Sequence, residues 1–408
     1  MAAKEKWSSG DVPAARRLLA DAFSANPDSE AIWLAAFKLE FESGEVERAR
    51  AILKKARSTA AEEGNCGGGE GTGGGGNTPR VWMKAAIVER RAGDTAAERQ
   101  LLDQAVKRFP NFDKLHLMRG QLSEREKDWS AARKSFAAGL ARCPSSVPLW
   151  ISAARLEEKA AAAASASSSS AAGSGADSTP NNAGTSRARA LLEQARLANP
   201  GSDELWLAAV RTEARAAGLW ARARDAGVSS SGAAAAGLSG AAASLLSKAL
   251  QACPRSGKLW AEAILTAPRP SRRSTSVDAL KKCDDDPFVV SAVASLFAAD
   301  RKPDKARSWY ERAVRLDPDC GDHWARYYLF EKEQGRGGGG GGGNVNAETA
   351  AATTANANAQ AVLSRCVAAG PRHGERWTRV AKDPRLDQLK TAELLPLVAE
   401  DVANEPPP

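Results

Sequence analysis

Histidine is almost missing from this chain, with three in 408 residues. So few groups titrating near neutral pH leave little for general acid–base chemistry to use, and no Ser/His/Asp set, Cys/His dyad or pair of catalytic carboxylates stands out. The expectation is a protein without enzymatic activity or a small-molecule substrate. Six cysteines (Cys66, Cys143, Cys253, Cys283, Cys320, Cys366) include no CxxC pair, which argues for a reducing compartment and against zinc. No metal and no cofactor is therefore expected. No apolar run is long enough to span a bilayer and no signal peptide is visible, so the chain reads as soluble and intracellular, with no membrane partner. Charge of one sign is not concentrated either: the net charge is +8 and basic residues are scattered among acidic ones. Most of it reads as solvated helix surface, with RNA or an acidic partner as the less favoured alternative.

What the chain does contain is repetition. In Lys305–Glu333 a small residue, Ala313, stands five before Pro318, Trp324 follows six later, and Glu331 seven after that. The spacing of six returns at Pro27 and Trp33, Pro110 and His116, Pro144 and Trp150, Pro200 and Trp206, Pro254 and Trp260, and Pro371 and Trp377. Ala22, Ala105, Gly139, Ala195, Ala249 and Cys366 stand five before those prolines. Apolar residues recur at helical spacing on both sides of the proline, as in Ala188, Leu191, Leu192, Ala195 and then Trp206, Ala209, Val210, so each unit reads as two amphipathic helices. Proline marks the break between units because it cannot donate within a helix and biases its predecessor away from one. The anchors Trp82, His116 and Trp150 stand 34 apart, the period of a helical solenoid. The predicted fold is all-α: a right-handed α-α superhelix of about nine helical hairpins, curved so that one helix of each pair lines an inner surface along which partners bind.

Four low-complexity stretches interrupt the period at helix–helix turns. The predicted organisation is repeats over 1–63, the first incomplete; a Gly-rich insert over 64–78; repeats over 79–160; an Ala/Ser/Gly insert over 161–186; a repeat over 187–220; an insert over 221–240; and repeats over 241–334. A Gly/Asn/Ala insert over 335–358, a last repeat with a capping helix over 359–402 and a tail over 403–408 complete it. Such composition cannot form a core, so the inserts read as disordered loops on the solvent side. The glycine run follows no strand and precedes no Gly-Lys-Ser/Thr, which makes it a linker and not a phosphate-binding loop. Without a polar helix ahead of the first unit, the chain reads as starting inside a longer array.

The repeated residues have a physical role. Trp33, Trp82, Trp150, Trp206, Trp260, Trp324 and Trp377 are wide enough to touch the partner helix and the next hairpin. Between Trp260 and Trp324 the proline spacing places the anchor at Val293, six after Pro287. Glu40, Glu89, Glu157, Glu213 and Glu331 lie two turns further on the same face. Glu40 is followed ten later by Arg50 and Glu89 by Arg99, which suggests a Glu–Arg pair linking two helices across the turn, although Glu213 meets Ser244 and Glu331 meets Val362 at the matching positions. His116 at an anchor position reads as a core residue with one hydrogen bond. Asp284, Asp285 and Asp286 read as acids favouring a helix start at Pro287. The segment RPSRRSTSVDALKK concentrates Arg269, Arg272, Arg273, Lys281 and Lys282. It reads as an inter-repeat turn that is simply solvated, or that touches phosphate or an acidic protein strip, with phosphorylation able to reverse its charge. No aromatics interleave with the arginines, which disfavours base stacking.

Taken together, the Trp, the Glu, the Ala-Arg step, the small residue and the Pro resemble the half-a-TPR (HAT) repeat of RNA-processing proteins. Gly10–Glu40, Arg269–Pro287 and Pro371–Trp377 further resemble the carboxyl-terminal half of the pre-mRNA-processing factor 6 family. The resemblance implies a nuclear, non-enzymatic scaffold of the spliceosome, holding U5 to U4/U6 in the tri-snRNP through contacts with other tri-snRNP proteins. RNA contact through the basic segment, or a related scaffold in messenger 3′-end formation or ribosomal RNA processing, are the alternatives. The low-complexity inserts and His116 depart from that family's pattern.

Overall fold

Among the residues that the computed structural model describes (2–27, 29–62, 77–169, 180–216, 240–334, 345–383, 386 and 389–404) there are twenty helices and no strand. The chain divides into two compact units, Met1–Ala160 and Ala161–Pro408.

The first unit holds α1 (Ala2–Ser8), α2 (Val12–Ala25), α3 (Glu30–Glu42), α4 (Val46–Glu62), α5 (Pro79–Ala92), α6 (Thr95–Arg108), α7 (Asp113–Arg125), α8 (Trp129–Arg142) and the start of α9 (Val147–Ser169). Every helix from α1 to α8 packs on its neighbour in sequence. The turns inside the hairpins share one design. Gly10, Gly44 and Gly93 take positive φ near 80°, and after Gly10 and Gly93 the following acid caps the next helix, Asp11 accepting from the Ala14 N–H at 3.0 Å and Asp94 from that of Ala97 at 2.9 Å. Glycine enters the left-handed region without a Cβ clash; Lys127, at the equivalent turn, adopts it as well, at φ 61°.

The second unit holds α10 (Pro180–Ala198), α11 (Asp203–Ala216), α12 (Gly240–Ala252), α13 (Gly257–Thr266), α14 (Arg272–Lys282), α15 (Pro287–Ala299), α16 (Pro303–Leu316), α17 (Gly321–Gln334), α18 (Val345–Ala369), α19 (Glu375–Ala381) and α20 (Thr391–Asn404). The last helix buries Leu394, Leu395, Val398 and Ala399 against α17, α18 and α19. In α15 six consecutive residues, Val289 to Ala294, are buried. A helix that is apolar on every side belongs inside a structure, and PFVVSAVASLFAA carries no charge.

Several expectations change. The low-complexity stretches are partly ordered: 161–169 continues α9, 180–186 opens α10, and 345–358 belongs to α18. Alanine has the highest helix propensity, and extending an existing helix carries no nucleation cost. Asn77 and Thr78 belong to a repeat and not to the Gly-rich insert, since Thr78 caps α5 and Asn77 is buried. Residues 63–76, 170–179, 217–239, 335–344 and 405–408 lie outside the described residues, and with them most of the remaining insert boundaries.

A further change concerns the interval after Trp260. Asp286 caps α15 with its carboxylate on the Phe288 N–H at 2.9 Å, so Pro287 is the first helical residue and not the break between units. The C-cap Cys283 donates its backbone N–H to Ala279, as Cys253 does to Ala249. Counted from those caps, the anchor is Val290, fully buried, and not Val293. The step from Val290 to Trp324 then matches the step from Trp82 to His116; the shortening sits before it, where α13 stops at Thr266 ahead of Pro268.

Close helix approach also depends on small residues. An added Cβ on Gly120 would sit 2.3 Å from Cε1 of the fully buried Phe136. Gly120→Ala should therefore destabilise the first unit by about 1–3 kcal/mol through overpacking, despite alanine's better helix propensity. A thermal midpoint equal to or above the parent's would show that Phe136 can move aside.

Candidate functional site

Two devices recur between successive hairpins. The first is the anchor ring. The indole N–H donates to the carbonyl of the proline six residues earlier: Trp33 to Pro27 at 2.9 Å, Trp150 to Pro144 at 2.8 Å, Trp260 to Pro254 at 2.9 Å and Trp324 to Pro318 at 2.9 Å. The turn's carbonyl cannot join a helix ladder, so the indole supplies the donor that a buried acceptor requires. His116 makes the same contact, its Nε2 2.8 Å from the Pro110 carbonyl. Histidine can stand at this position because it offers a ring N–H in the same place. Trp82 uses the Asn77 side-chain oxygen at 2.7 Å instead. Opposite the ring, a small residue is needed: a Cβ on Gly139 would lie 2.7 Å from the His116 Cβ. The anchors are not equally covered. Trp33, Trp82, Trp150, Trp324 and Trp377 are buried, whereas Trp206 and Trp260 are half-exposed, Trp206 with the Arg196 guanidinium 4.5 Å above its ring.

The second device is an arginine–glutamate ladder, arranged differently from the pair expected across each turn. Arg16 binds Glu40 through two bonds of 2.8 and 2.7 Å, Arg50 binds Glu89 at 2.9 and 2.7 Å, and Arg133 binds Glu157 at 2.6 and 3.0 Å. Arg189 with Glu213 and Arg307 with Glu331 repeat the geometry. Outside the Gly-rich stretch the two residues are always 24 apart. Each pair therefore joins the second helix of one hairpin to the first helix of the next. Glu40 faces back to Arg16 and not forward to Arg50. The carboxylates raise the arginine pKa values further, chiefly through these hydrogen bonds. Where the arginine position holds Ala243, the matching glutamate position holds Ala267, so both partners are absent together. Where Ser123 replaces the glutamate, Arg99 turns to Glu126 instead. The constant arginine-to-glutamate offset is visible in the sequence; the shorter glutamate-to-arginine offset masked it.

These glutamates are nearly buried, 1% exposed at Glu331, while Arg307 is 33% exposed. A double-mutant cycle on Arg307 and Glu331 should give a coupling of about 1–2 kcal/mol, more than an exposed pair contributes, because the bonds are charge-assisted and bidentate. Arg307→Lys should lose most of it, since an ammonium cannot reproduce the fork. A coupling near zero would mean that the pair adds nothing beyond packing.

The second unit also has a charged interior. Arg211 on α11 lies 3.5 Å from Glu262 on α13 and 2.7 Å from Glu375 on α19. Glu262 is 1% exposed, and burial pushes its carboxyl above the usual range against the pull of Arg211 and Arg326. Arg211 thus links α11 to both α13 and α19. Arg211, Glu262 and Glu375 were not singled out in the sequence; the one signal is a glutamate inside the otherwise apolar run LWAEAIL.

The basic segment is not a turn. Arg272–Lys282 is the helix α14, which buries only Ala279 fully. Arg269, Arg273, Lys281 and Lys282 are exposed. Arg272 is half-buried and donates Nε to the Ala267 carbonyl at 2.9 Å, and burial lowers its pKa. Arg273 occupies the ladder position, but Phe297 stands where its glutamate would be, so its guanidinium projects outward, with Asp300 at 3.7 Å. The structure brings the five cations onto one helix and its approach, with Arg272 turned partly inward. The five described cysteines are free, and no helix among the described residues is long and apolar enough to cross a membrane.

The chain is similar to the tetratricopeptide repeat family over residues 6–65. It is 33% identical over 296 residues to pre-mRNA-splicing factor prp1 of Schizosaccharomyces pombe, covering 72% of this chain and 26% of that protein. It is 43% identical over 136 residues to human pre-mRNA-processing factor 6, covering 33% and 12%. Against protein STABILIZED1 of Arabidopsis thaliana the identity is 44% over 116 residues, 28% of this chain and 9% of that one. The match spans about a quarter of the fission yeast protein and less of the other two. With its anchors, its helix pairs and these relatives, the chain is a HAT-type helical-repeat homologue of the pre-mRNA-processing factor 6 proteins.

Proposed function

We propose that this chain is a non-enzymatic protein–protein scaffold of pre-mRNA splicing, acting in the nucleus and contacting spliceosomal proteins, those of the tri-snRNP among them. The observation that carries this reading is the 33% identity with a pre-mRNA-splicing factor along 72% of the chain. The architecture agrees with it. Anchors and ion pairs recur from hairpin to hairpin within each unit, and arrays of stacked repeats present large surfaces to partners. The repeated residues Trp33 to Trp377 and Glu40 to Glu331 then serve geometry and not chemistry. The helix α14, with Arg269, Arg273, Lys281 and Lys282 exposed, suits an acidic protein strip.

The test is affinity purification of the tagged chain from nuclear extract, with and without nuclease. Recovery of tri-snRNP proteins that survives nuclease supports the scaffold. Loss on nuclease treatment, with a steep salt dependence, would favour RNA contact through α14, and recovery of 3′-end or ribosomal RNA processing factors would overturn the assignment to splicing. In the paired variant Lys281→Glu/Lys282→Glu, association through α14 should fall about tenfold or more, with helicity unchanged.

A further inference from the structure

Asp317, Cys320 and His323 bring one ligand atom each to within 4.8 Å of one another at the turn between α16 and α17. They stand at intervals of three in DPDCGDH. His323 is 1% exposed, and neither ring nitrogen has a hydrogen-bond partner. An imidazole buried without a partner is costly, and one that faces a thiol and a carboxylate has the surroundings of a ligand. Its neighbour on the remaining side is apolar, the Phe288 ring at 4.9 Å between centroids.

The turn is held rigid from several directions. Trp324 donates to the Pro318 carbonyl at 2.9 Å, the Gly321 N–H to the His373 carbonyl at 2.8 Å, and the Arg372 and His373 N–H groups to the Asp319 carbonyl at 3.0 and 2.9 Å. The N–H groups of Asp322 and His323 point at the Cys320 sulfur. Ligands fixed in advance on a braced turn lose little freedom when a cation arrives.

We propose that Asp317, Cys320 and His323 bind one zinc-type divalent cation, through a carboxylate oxygen, the sulfur and a ring nitrogen, with water in the fourth position. The donor set of one thiolate, one imidazole and one carboxylate suits zinc and cobalt, and neither magnesium nor calcium. Binding transfers the Cys320 thiol proton to solvent as the sulfur–metal bond forms. Burial holds His323 down to about 3, with Arg326 acting in the same direction, so its lone pair is free at working pH. Burial together with Asp322 and Asp317 holds the thiol up to about 12, so without a cation it stays protonated. The absence of a CxxC pair, which spoke against zinc in the sequence, leaves room for this site, because the turn brings a single cysteine to a histidine and a carboxylate.

The test is titration of the full chain, reduced and metal-free, with Co²⁺. The expected result is one tightly bound equivalent with a thiolate-to-cobalt charge-transfer band and tetrahedral visible bands. Cys320→Ser should abolish the charge-transfer band while Cys283→Ser and Cys366→Ser keep it. Asp317→Asn alters only a half-exposed side chain, and should weaken Co²⁺ binding at least about tenfold. A folded chain that shows no band at saturating Co²⁺, a band undiminished in Cys320→Ser, or unchanged affinity in Asp317→Asn would each overturn the site.

Discussion

Replacing Trp324 by alanine should destabilise the second unit by about 3–5 kcal/mol, the cost of emptying a large aromatic site in a packed core. The ring is 4% exposed and belongs to a cluster with Ala294, Ala306, Tyr310, Phe330, Val362 and Cys366. Its loss also strands the Pro318 carbonyl, which the indole satisfies at 2.9 Å. Trp206→Ala should cost much less, because that ring is half-exposed and its bond to Pro200 is stretched to 3.5 Å. Urea unfolding followed by circular dichroism checks both. Equal losses at the two sites would show that the anchor acts through the repeat as a whole and not through local burial.

Replacing Arg211 by methionine should destabilise the same unit by about 3 kcal/mol near neutral pH, because it leaves Glu262 charged and buried without its nearest cation. The loss should shrink in acid. Glu262 already binds its proton more readily folded than unfolded; stability from this group is therefore fully present below the ordinary carboxylate range and is lost as pH rises through the raised folded value. Without Arg211 that value rises further and the window widens upward. Glu262→Gln should flatten the dependence, and the double variant should recover most of what Arg211→Met loses. Urea midpoints in acid and near neutral pH decide it. A loss independent of pH would assign the effect to packing of the arginine stem.

The anchor at Val290 shows where one-dimensional reading stops. Proline six before an apolar residue was a sound rule at Pro27, Pro144 and Pro318, where proline follows the end of a helix. At Pro287 the same residue opens one, because Asp286 caps it, and the anchor moved by three. Proline suits both positions, since each leaves its missing N–H unmissed. The basic segment failed for a related reason. Its pattern of charges and serines lacks an apolar stripe, yet Ala279 and the neighbouring α13 and α15 are enough to hold Arg272–Lys282 as a helix.

By itself the sequence determined the class, the period and the anchors, because a hairpin repeat encodes its own core: Trp, small residue and proline recur wherever the same local packing recurs. It also determined that arginine and glutamate alternate between hairpins. Only the tertiary structure decided which arginine meets which glutamate, since Glu40 has one arginine before it, Arg16, and one after it, Arg50, and only the contact between helices tells them apart. Arg211 with Glu375, far apart in the chain but bonded at 2.7 Å, and the converging Asp317, Cys320 and His323 were settled at the same level. No periodicity reports such contacts, because each arises once and not from the repeat.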